Sequence, residues 1–376
     1  GGEQRNGEQR GRRAAREMHG SIVRTDPGHR TMLPAARPYG RMEAIRGLAR
    51  EPDMQETERA RHHVVFCADR NYLPYLGVTA FSLLANNARN DLAIVVVTDE
   101  VGEQDRLRLE RLSSEFRVPI AIHRVSGRDS ADLARLKVKG RFVTANYYRL
   151  LIPRIMPETV DTALYLDADM IVNGDISGLL QTVVGDKVLG ACADPVGRKM
   201  MRKPGYFNSG LLLMNLDQWR RRDISGKAMA CAASRDDLAF CEQDALNEVV
   251  AGDSIRWLDL EYNFMVYDRL KPEYQQELDK ATSHVVAPKI LHFTGQTKPW
   301  HAWYLAGHKD KYFDYARRSP WRDAPLAQDR PANPQQELWL GEVSEKAADF
   351  CRAAYHYRRA AQGLLEQRAA QQRPPR

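Results

Sequence analysis

The sequence predicts an α/β fold with a mostly parallel central sheet, followed by a helical extension. Three observations carry this. Short β-branched runs alternate with helix-spaced segments from residue 63 onward. Those runs are apolar throughout, as expected of strands covered on both faces by helices. Beyond about Ser319 a Pro-rich stretch gives way to a segment rich in Ala, Arg, Gln and Glu.

The elements follow in order. Residues 1–61 are rich in Arg, Gly and Glu with Tyr39 as their only aromatic, so they lack the apolar surface to offset ordering and are expected to be disordered. Val64 to Ala68 reads as a buried strand, Asp69 to Tyr72 as a loop and Leu73 to Asn87 as a helix. Leu92 to Thr98 is a second strand, Glu103 to Phe116 a second helix and Pro119 to Val125 a third strand. This β-α-β-α-β order implies parallel pairing with helices on the sheet faces. Thr144 to Met156 reads as one helix. Ala163 to Leu166 is a strand that runs into Asp167-Ala168-Asp169, and further strands are expected at 188–193, 211–214, 256–258 and 289–293. Residues 335–372 read as a partly amphipathic helix. The chain therefore divides into a basic segment (1–61), one α/β domain (62–318), and a Pro-rich connection with a C-terminal helix (319–376).

Charge narrows the function classes. The net charge is +7, but it sits at the ends. Residues 1–61 carry 13 Lys+Arg against 9 Asp+Glu and residues 317–376 carry 11 against 7, which leaves the domain between them close to neutral. A nucleic-acid groove in the domain is excluded on this ground; the basic ends allow at most weak contact with an anionic membrane surface. The five cysteines contain no C-x-x-C pair, a pattern of reduced thiols and not of a disulfide frame or zinc site. No apolar leader and no membrane-spanning run is visible, so a cytoplasmic protein is expected.

The stretch ALYLDADMIV carries the chemistry. Charged residues seldom interrupt a buried strand without a reason. Asp167 and Asp169 are two apart, so in extended backbone they face the same side. They lie at the carboxyl end of a strand, where open α/β sheets place ligands. Two close carboxylates repel unless a cation sits between them. Far along the chain, Ile290-Leu291-His292-Phe293 places one imidazole in an apolar run, and Thr294-Gly295-Gln296-Thr297-Lys298 follows. Gly295 frees the backbone for close approach to a ligand, and Lys298 offers a compact charge to a phosphate. One imidazole and two carboxylates, completed by phosphate oxygens, suit Mn²⁺, with Mg²⁺ as the second choice.

Together with these residues, the motifs FCADRNY, NYYRL, LYLDADMIV, FNSGLLLMN, CEQDALN and HFTGQTKPWH occur in an order that resembles family 8 glycosyltransferases, across roughly residues 63–325. That resemblance implies a GT-A fold, a single Rossmann-like domain, and transfer of a hexose, galactose or glucose, from a UDP-sugar with retention of configuration. The acceptor would be a glycan or glycolipid, as in lipopolysaccharide or cell-surface glycan synthesis. By position, Asp69, Asn71 and Tyr72 would hold uracil and ribose. Asp167, Asp169 and His292 would bind the metal, with Ala168 between them lining the donor. Lys298 and the Gly295 backbone would hold the diphosphate. Arg149, Asp194 and Asn208 would reach the donor sugar or its phosphate. Glu242, Gln243 and Asp244 would lie near the reacting carbon. Many relatives have Asp where this chain has Glu242, which leaves the choice of sugar open. Same-face attack, with departing UDP taking the acceptor proton, is favoured over double displacement through a carboxylate. A UDP-sugar hydrolase or nucleotidyltransferase and a noncatalytic UDP-sugar-binding protein are the competing readings.

Overall fold

In the computed structural model the apolar runs become the strands of one large and one small sheet. The strands are β1 (His62–Cys67), β2 (Leu92–Thr98), β3 (Ile120–Arg124), β4 (Thr162–Leu166), β5 (Met170–Val172), β6 (Leu189–Ala193), β7 (Phe207–Asn215), β8 (Ile255–Leu258), β9 (Phe264–Met265) and β10 (Ile290–His292). The structure describes residues 57–371 apart from 59, 137–143, 251 and 325–330. All of these belong to one compact unit, Gly47–Arg376. The segment expected to be disordered lies, except for its last few residues, outside them.

The large sheet has the order β3-β2-β1-β4-β7-β6-β8. Neighbours are parallel except where β7 pairs antiparallel with β4 and β6. Side chains of a strand alternate between its faces, and both faces are buried here. Val64 and Phe66 pack with α1 (Leu73–Asn87) and α2 (Glu103–Phe116). Val65 and Cys67 pack with Tyr147, Trp219 and Ala228 on the other side. Helix α1 is buried on nearly every side, and Pro74 in its first turn supplies a fixed φ where no intrahelical amide is needed.

The small sheet, β5-β10-β9, positions the site. Strand β4 of the large sheet passes through Asp167-Ala168-Asp169 into β5 of the small one. Strand β10 lies antiparallel to β5, with His292 opposite Met170. Two residues of α1 fix this crossing from behind. Thr79 Oγ1 lies 2.8 Å from both the Ala168 and the Met170 carbonyl oxygens, and Ser82 Oγ accepts the Val172 amide at 2.9 Å.

Two segments differ from the sequence expectation. Residues 144–156 are not one α-helix: a 3-10 helix, Thr144–Leu151, precedes a single α-turn, Ile152–Ile155. Pro153 has no amide to bond the residue 149 carbonyl, as a continuous α-helix would require. The C-terminal segment is a hairpin of two helices. Asp194 caps α3 (Pro195–Met201), and α4 (Glu242–Val249) and α5 (Lys309–Arg318) are among the domain's further helices ahead of α6 (Pro334–Lys346) and α7 (Phe350–Gln371). Between the last two, Ala348 takes φ 59° and Asp349 Oδ1 caps the Arg352 amide at 3.0 Å, a stop followed by an N-cap. No helix among the described residues is long and apolar enough to cross a membrane.

Candidate active site

A cavity of about 730 Å³ opens at the carboxyl end of β4. On its wall Asp167, Asp169 and His292 each present one atom within 4.8 Å of the others. His292 Nε2 is 3.4 Å from Asp169 Oδ1 and 3.8 Å from Asp167 Oδ2. The ring is 3% exposed. Lys298 Nζ lies 2.5 Å from Asp169 Oδ2 and donates to the Phe293 carbonyl at 2.6 Å. Burial alone would raise the Asp169 carboxyl, but Lys298 and His292 more than offset it and hold it below the usual carboxylate range.

The protonation of His292 follows from a chain of hydrogen bonds. The Gly210 amide donates to Asn208 Oδ1 at 3.0 Å, so that atom is an oxygen. Asn263 donates its amide nitrogen to the same oxygen at 3.0 Å. Asn263 Oδ1 therefore faces His292 Nδ1, 2.9 Å away. Nδ1 carries a proton, and Nε2 is the ring nitrogen that faces the two acids. Three features fit a divalent cation at this point. Nε2 faces both acids, Asp169 Oδ1 is buried with no hydrogen-bond partner among the described residues, and Gly210 keeps the space clear. A Cβ on Gly210 would stand 2.4 Å from His292 Cε1 and 2.7 Å from Asp167 Oδ2.

Behind Asp167 stands Arg149, 3% exposed. Its Nη2 donates to Asp167 Oδ1 at 2.9 Å and lies 3.4 Å from Glu242 Oε1. Its Nη1 donates to the Ser209 carbonyl at 2.7 Å. The Tyr165 hydroxyl also donates to Asp167 Oδ1. Glu242 is buried, its Oε2 has no hydrogen-bond partner among the described residues, and burial, opposed by Arg149, pushes its carboxyl up to about 7.

Further along the wall, Asp194 Oδ1 caps α3 through the Gly197 amide at 2.7 Å, while its Oδ2 accepts from Gln243 at 3.2 Å and Asn208 at 3.3 Å. Burial raises its carboxyl against the pull of those donors. Gln243 Oε1 accepts the Ser209 amide at 2.9 Å. Asp244 does not join this wall. One of its oxygens accepts the Tyr206 hydroxyl and the other the Phe240 amide. Consecutive helical residues point about 100° apart, so Gln243 on the cavity leaves Asp244 behind it.

The loop expected to take the base also lines the cavity. Asp69 Oδ1 accepts the Asn71 and Tyr72 amides at 2.9 and 3.0 Å, and Tyr72 stands edge-on to Tyr75 and Trp300. Ala168 and Gly295, which takes φ 93°, complete it. Arg70 points away to an exposed pairing with Glu100.

Residues 63–304 match the family model described as Glycosyl transferase family 8. The chain belongs to that family. Among curated proteins it is similar to a lipopolysaccharide 1,2-glucosyltransferase of Escherichia coli K12, 28% identical over 69% of this chain and 79% of the relative. It is also similar to a lipopolysaccharide 1,3-galactosyltransferase of Salmonella typhimurium, 26% identical over 72% and 82%. Among solved structures, galactosyltransferase LgtC in complex with donor and acceptor sugar analogues superposes with a TM-score of 0.59. It is 25% identical and covers 72% of this chain and 98% of its own. The architecture is a GT-A fold, and the protein is a glycosyltransferase.

In this family 8 enzyme, residues with no sequence signal hold the candidate site in place. Asn263 is fully buried yet sits in an unremarkable LEYNFM stretch. Only a contact 29 residues away reveals it. Thr79, Ser82, Tyr165 and Ser209 are likewise polar residues inside apolar elements. Gly210 stands within FNSGLLLMN, but its need for an empty side-chain position is visible only in space. Asn263→Leu removes the acceptor that fixes the His292 tautomer. The expected result is metal-dependent nucleotide binding weakened about 10–100-fold, read by titrating UDP with and without Mn²⁺; unchanged affinity would contradict the role.

Proposed function

We propose that this family 8 enzyme transfers a hexose, galactose or glucose, from a UDP-sugar to a hydroxyl of a glycan or glycolipid acceptor, with retention of configuration, in the synthesis of lipopolysaccharide or another cell-surface glycan. The observation that carries the reading is the convergence of Asp167, Asp169 and His292 beside Lys298 in the cavity that Asp194, Asn208, Glu242 and Gln243 also line. The three clustered residues would hold a divalent cation, for which we favour Mn²⁺ over Mg²⁺. A bound cation supplies positive charge to the leaving diphosphate.

The chain's own residues do the rest. Lys298, tied to Asp169, keeps an ammonium beside the diphosphate, and Gly295 lets the backbone approach it. Asp69, Asn71 and Tyr72 receive the uridine. Arg149 holds Asp167 and Glu242 in place, and the free Glu242 Oε2 bonds a donor hydroxyl. Asp194 and Asn208 orient the sugar. Gln243, fixed by the Ser209 amide and Asp194, supports the face opposite the leaving group. The acceptor oxygen attacks from the side that UDP leaves. The bond from C1 to the phosphate oxygen breaks, the bond from C1 to the acceptor oxygen forms, and the acceptor proton passes to a phosphate oxygen. The exposed Phe350, Tyr355, Leu364 and Leu365 of α7, set among Arg352, Arg358 and Arg368, would give weak peripheral contact with an anionic membrane on its cytoplasmic side.

The test is to incubate the enzyme and Mn²⁺ with UDP-galactose, UDP-glucose and UDP-N-acetylglucosamine, with and without lipopolysaccharide core oligosaccharides. We expect UDP release from one of the two hexose donors, stimulated by the oligosaccharides and abolished by EDTA. Release of UMP would favour a hydrolase or nucleotidyltransferase, and no turnover of any donor would favour a noncatalytic binding protein.

A further inference from the structure

The match to the family ends at residue 304, yet one wall of the cavity comes from far beyond it. Trp339, on α6, lines the same cavity as the clustered acids and His292. It is held there from both sides. The Arg269 guanidinium lies 5.2 Å from the centre of its ring. Arg269 also donates to Glu342 of α6 at 3.0 Å and to the Trp303 carbonyl at 2.8 Å. From the other side, α7 grips α6 through Glu337, which His356 and Arg359 contact at 2.7 and 2.5 Å. The neighbouring Leu340 is buried, while Trp339 is only partly so. No hydrogen-bond partner of its indole N–H is found among the described residues.

Met200, Tyr267 and Leu270 also line the cavity, and Met200 is 44% exposed. Arg269 is not free to bind a phosphate, because Asp268 and Glu342 both pair with it. Asp268 in turn accepts the Thr297 hydroxyl at 2.7 Å, in the loop that carries Lys298. This wall therefore adjoins the phosphate loop without offering a charge to a diphosphate. An indole in a cavity wall brings a flat electron-rich ring and an N–H donor at its edge, features that suit a pyranose ring, whose C–H face is weakly positive and whose rim carries hydroxyls.

We infer that Trp339 is the aromatic platform of the acceptor subsite and binds a neutral hexopyranose ring of the acceptor. The inference rests on the proposed transferase reading. The C-terminal hairpin then forms part of the active site and supplies a specificity element from outside the family region.

The test is saturation-transfer NMR on the full-length protein, with and without Mn²⁺ and UDP. The probes are the methyl α- and β-glycosides of glucose and galactose, and lactose. Wild type and Trp339→Phe are expected to transfer saturation to the ring protons of at least one probe. Trp339→Leu, which keeps apolar packing on α6 but not the flat face, is expected to weaken that binding roughly tenfold. UDP affinity measured by titration should stay within about twofold in all three. Undiminished transfer in Trp339→Leu, or no transfer to any probe in wild type, would overturn the assignment. Failure of wild type to bind UDP with Mn²⁺ is a separate outcome that strikes the donor reading, because the glycoside signal is read without nucleotide as well.

Discussion

Asp169→Ala and His292→Ala are each expected to reduce transfer by at least about 10³-fold and to remove the Mn²⁺-dependent part of UDP binding. A metal at a leaving phosphate contributes several kcal/mol, and each factor of ten in rate is about 1.4 kcal/mol. The two variants lose it by different routes. Asp169→Ala deletes the buried oxygen that lacks a partner and leaves the Lys298 ammonium without its carboxylate. His292→Ala deletes the ring nitrogen that faces both acids and that Asn263 orients through Nδ1. Both should retain a cooperative thermal transition, because β10 and β5 keep their pairing without either side chain. Initial rates with the preferred donor, and calorimetric titration of UDP with and without Mn²⁺, check both statements.

Gly210→Ala is expected to do nearly as much damage while adding only one methyl group. The new Cβ would stand 2.4 Å from His292 Cε1, 2.7 Å from Asp167 Oδ2 and 3.0 Å from Asn208 Oδ1. None of the three yields cheaply. Asn263 holds the ring, Arg149 and the Tyr165 hydroxyl hold Asp167, and Asp194 and Asn263 hold Asn208. Strand β7 is itself buried along almost its whole length, so the backbone cannot retreat either. We expect metal-dependent UDP affinity to fall by about 10²-fold or more, with a stability cost of about 1–3 kcal/mol from overpacking. Gly205→Ala serves as the control, since nothing lies within 4 Å of its added Cβ; it should match wild type in both titration and melting temperature. Wild-type UDP affinity in Gly210→Ala would show that the space beside His292 is not needed.

Much of the fold was legible because its signals are local. Helices α1 and α2 and strand β2 coincide with the spans read from apolar periodicity. The line of acids at 167 and 169 stood out because charge broke an apolar run. What periodicity cannot encode is partner and direction. Nothing in FNSGLLLMN says that β7 runs antiparallel between β4 and β6, and nothing at Met170 says that the chain has crossed to a second sheet. Of the small sheet only β10 has a sequence signal; β5 and β9, three and two residues long, are too short for a pattern, yet the sheet carries His292 to the acids. The family resemblance placed Asp244 with Gln243 near the reacting carbon, but the helix turns it toward Tyr206. Asn263 and Trp339 are single residues whose meaning lies wholly in long-range contacts.

The proposed mechanism requires a single divalent cation among Asp167, Asp169 and His292. Crystals grown with Mn²⁺ and UDP, measured at a wavelength where manganese scatters anomalously, test it most directly. One anomalous peak is expected at coordination distance, about 2–2.5 Å, from all three side chains and next to the UDP phosphates. No peak there, or a bound UDP whose phosphates lie away from Lys298, would contradict it.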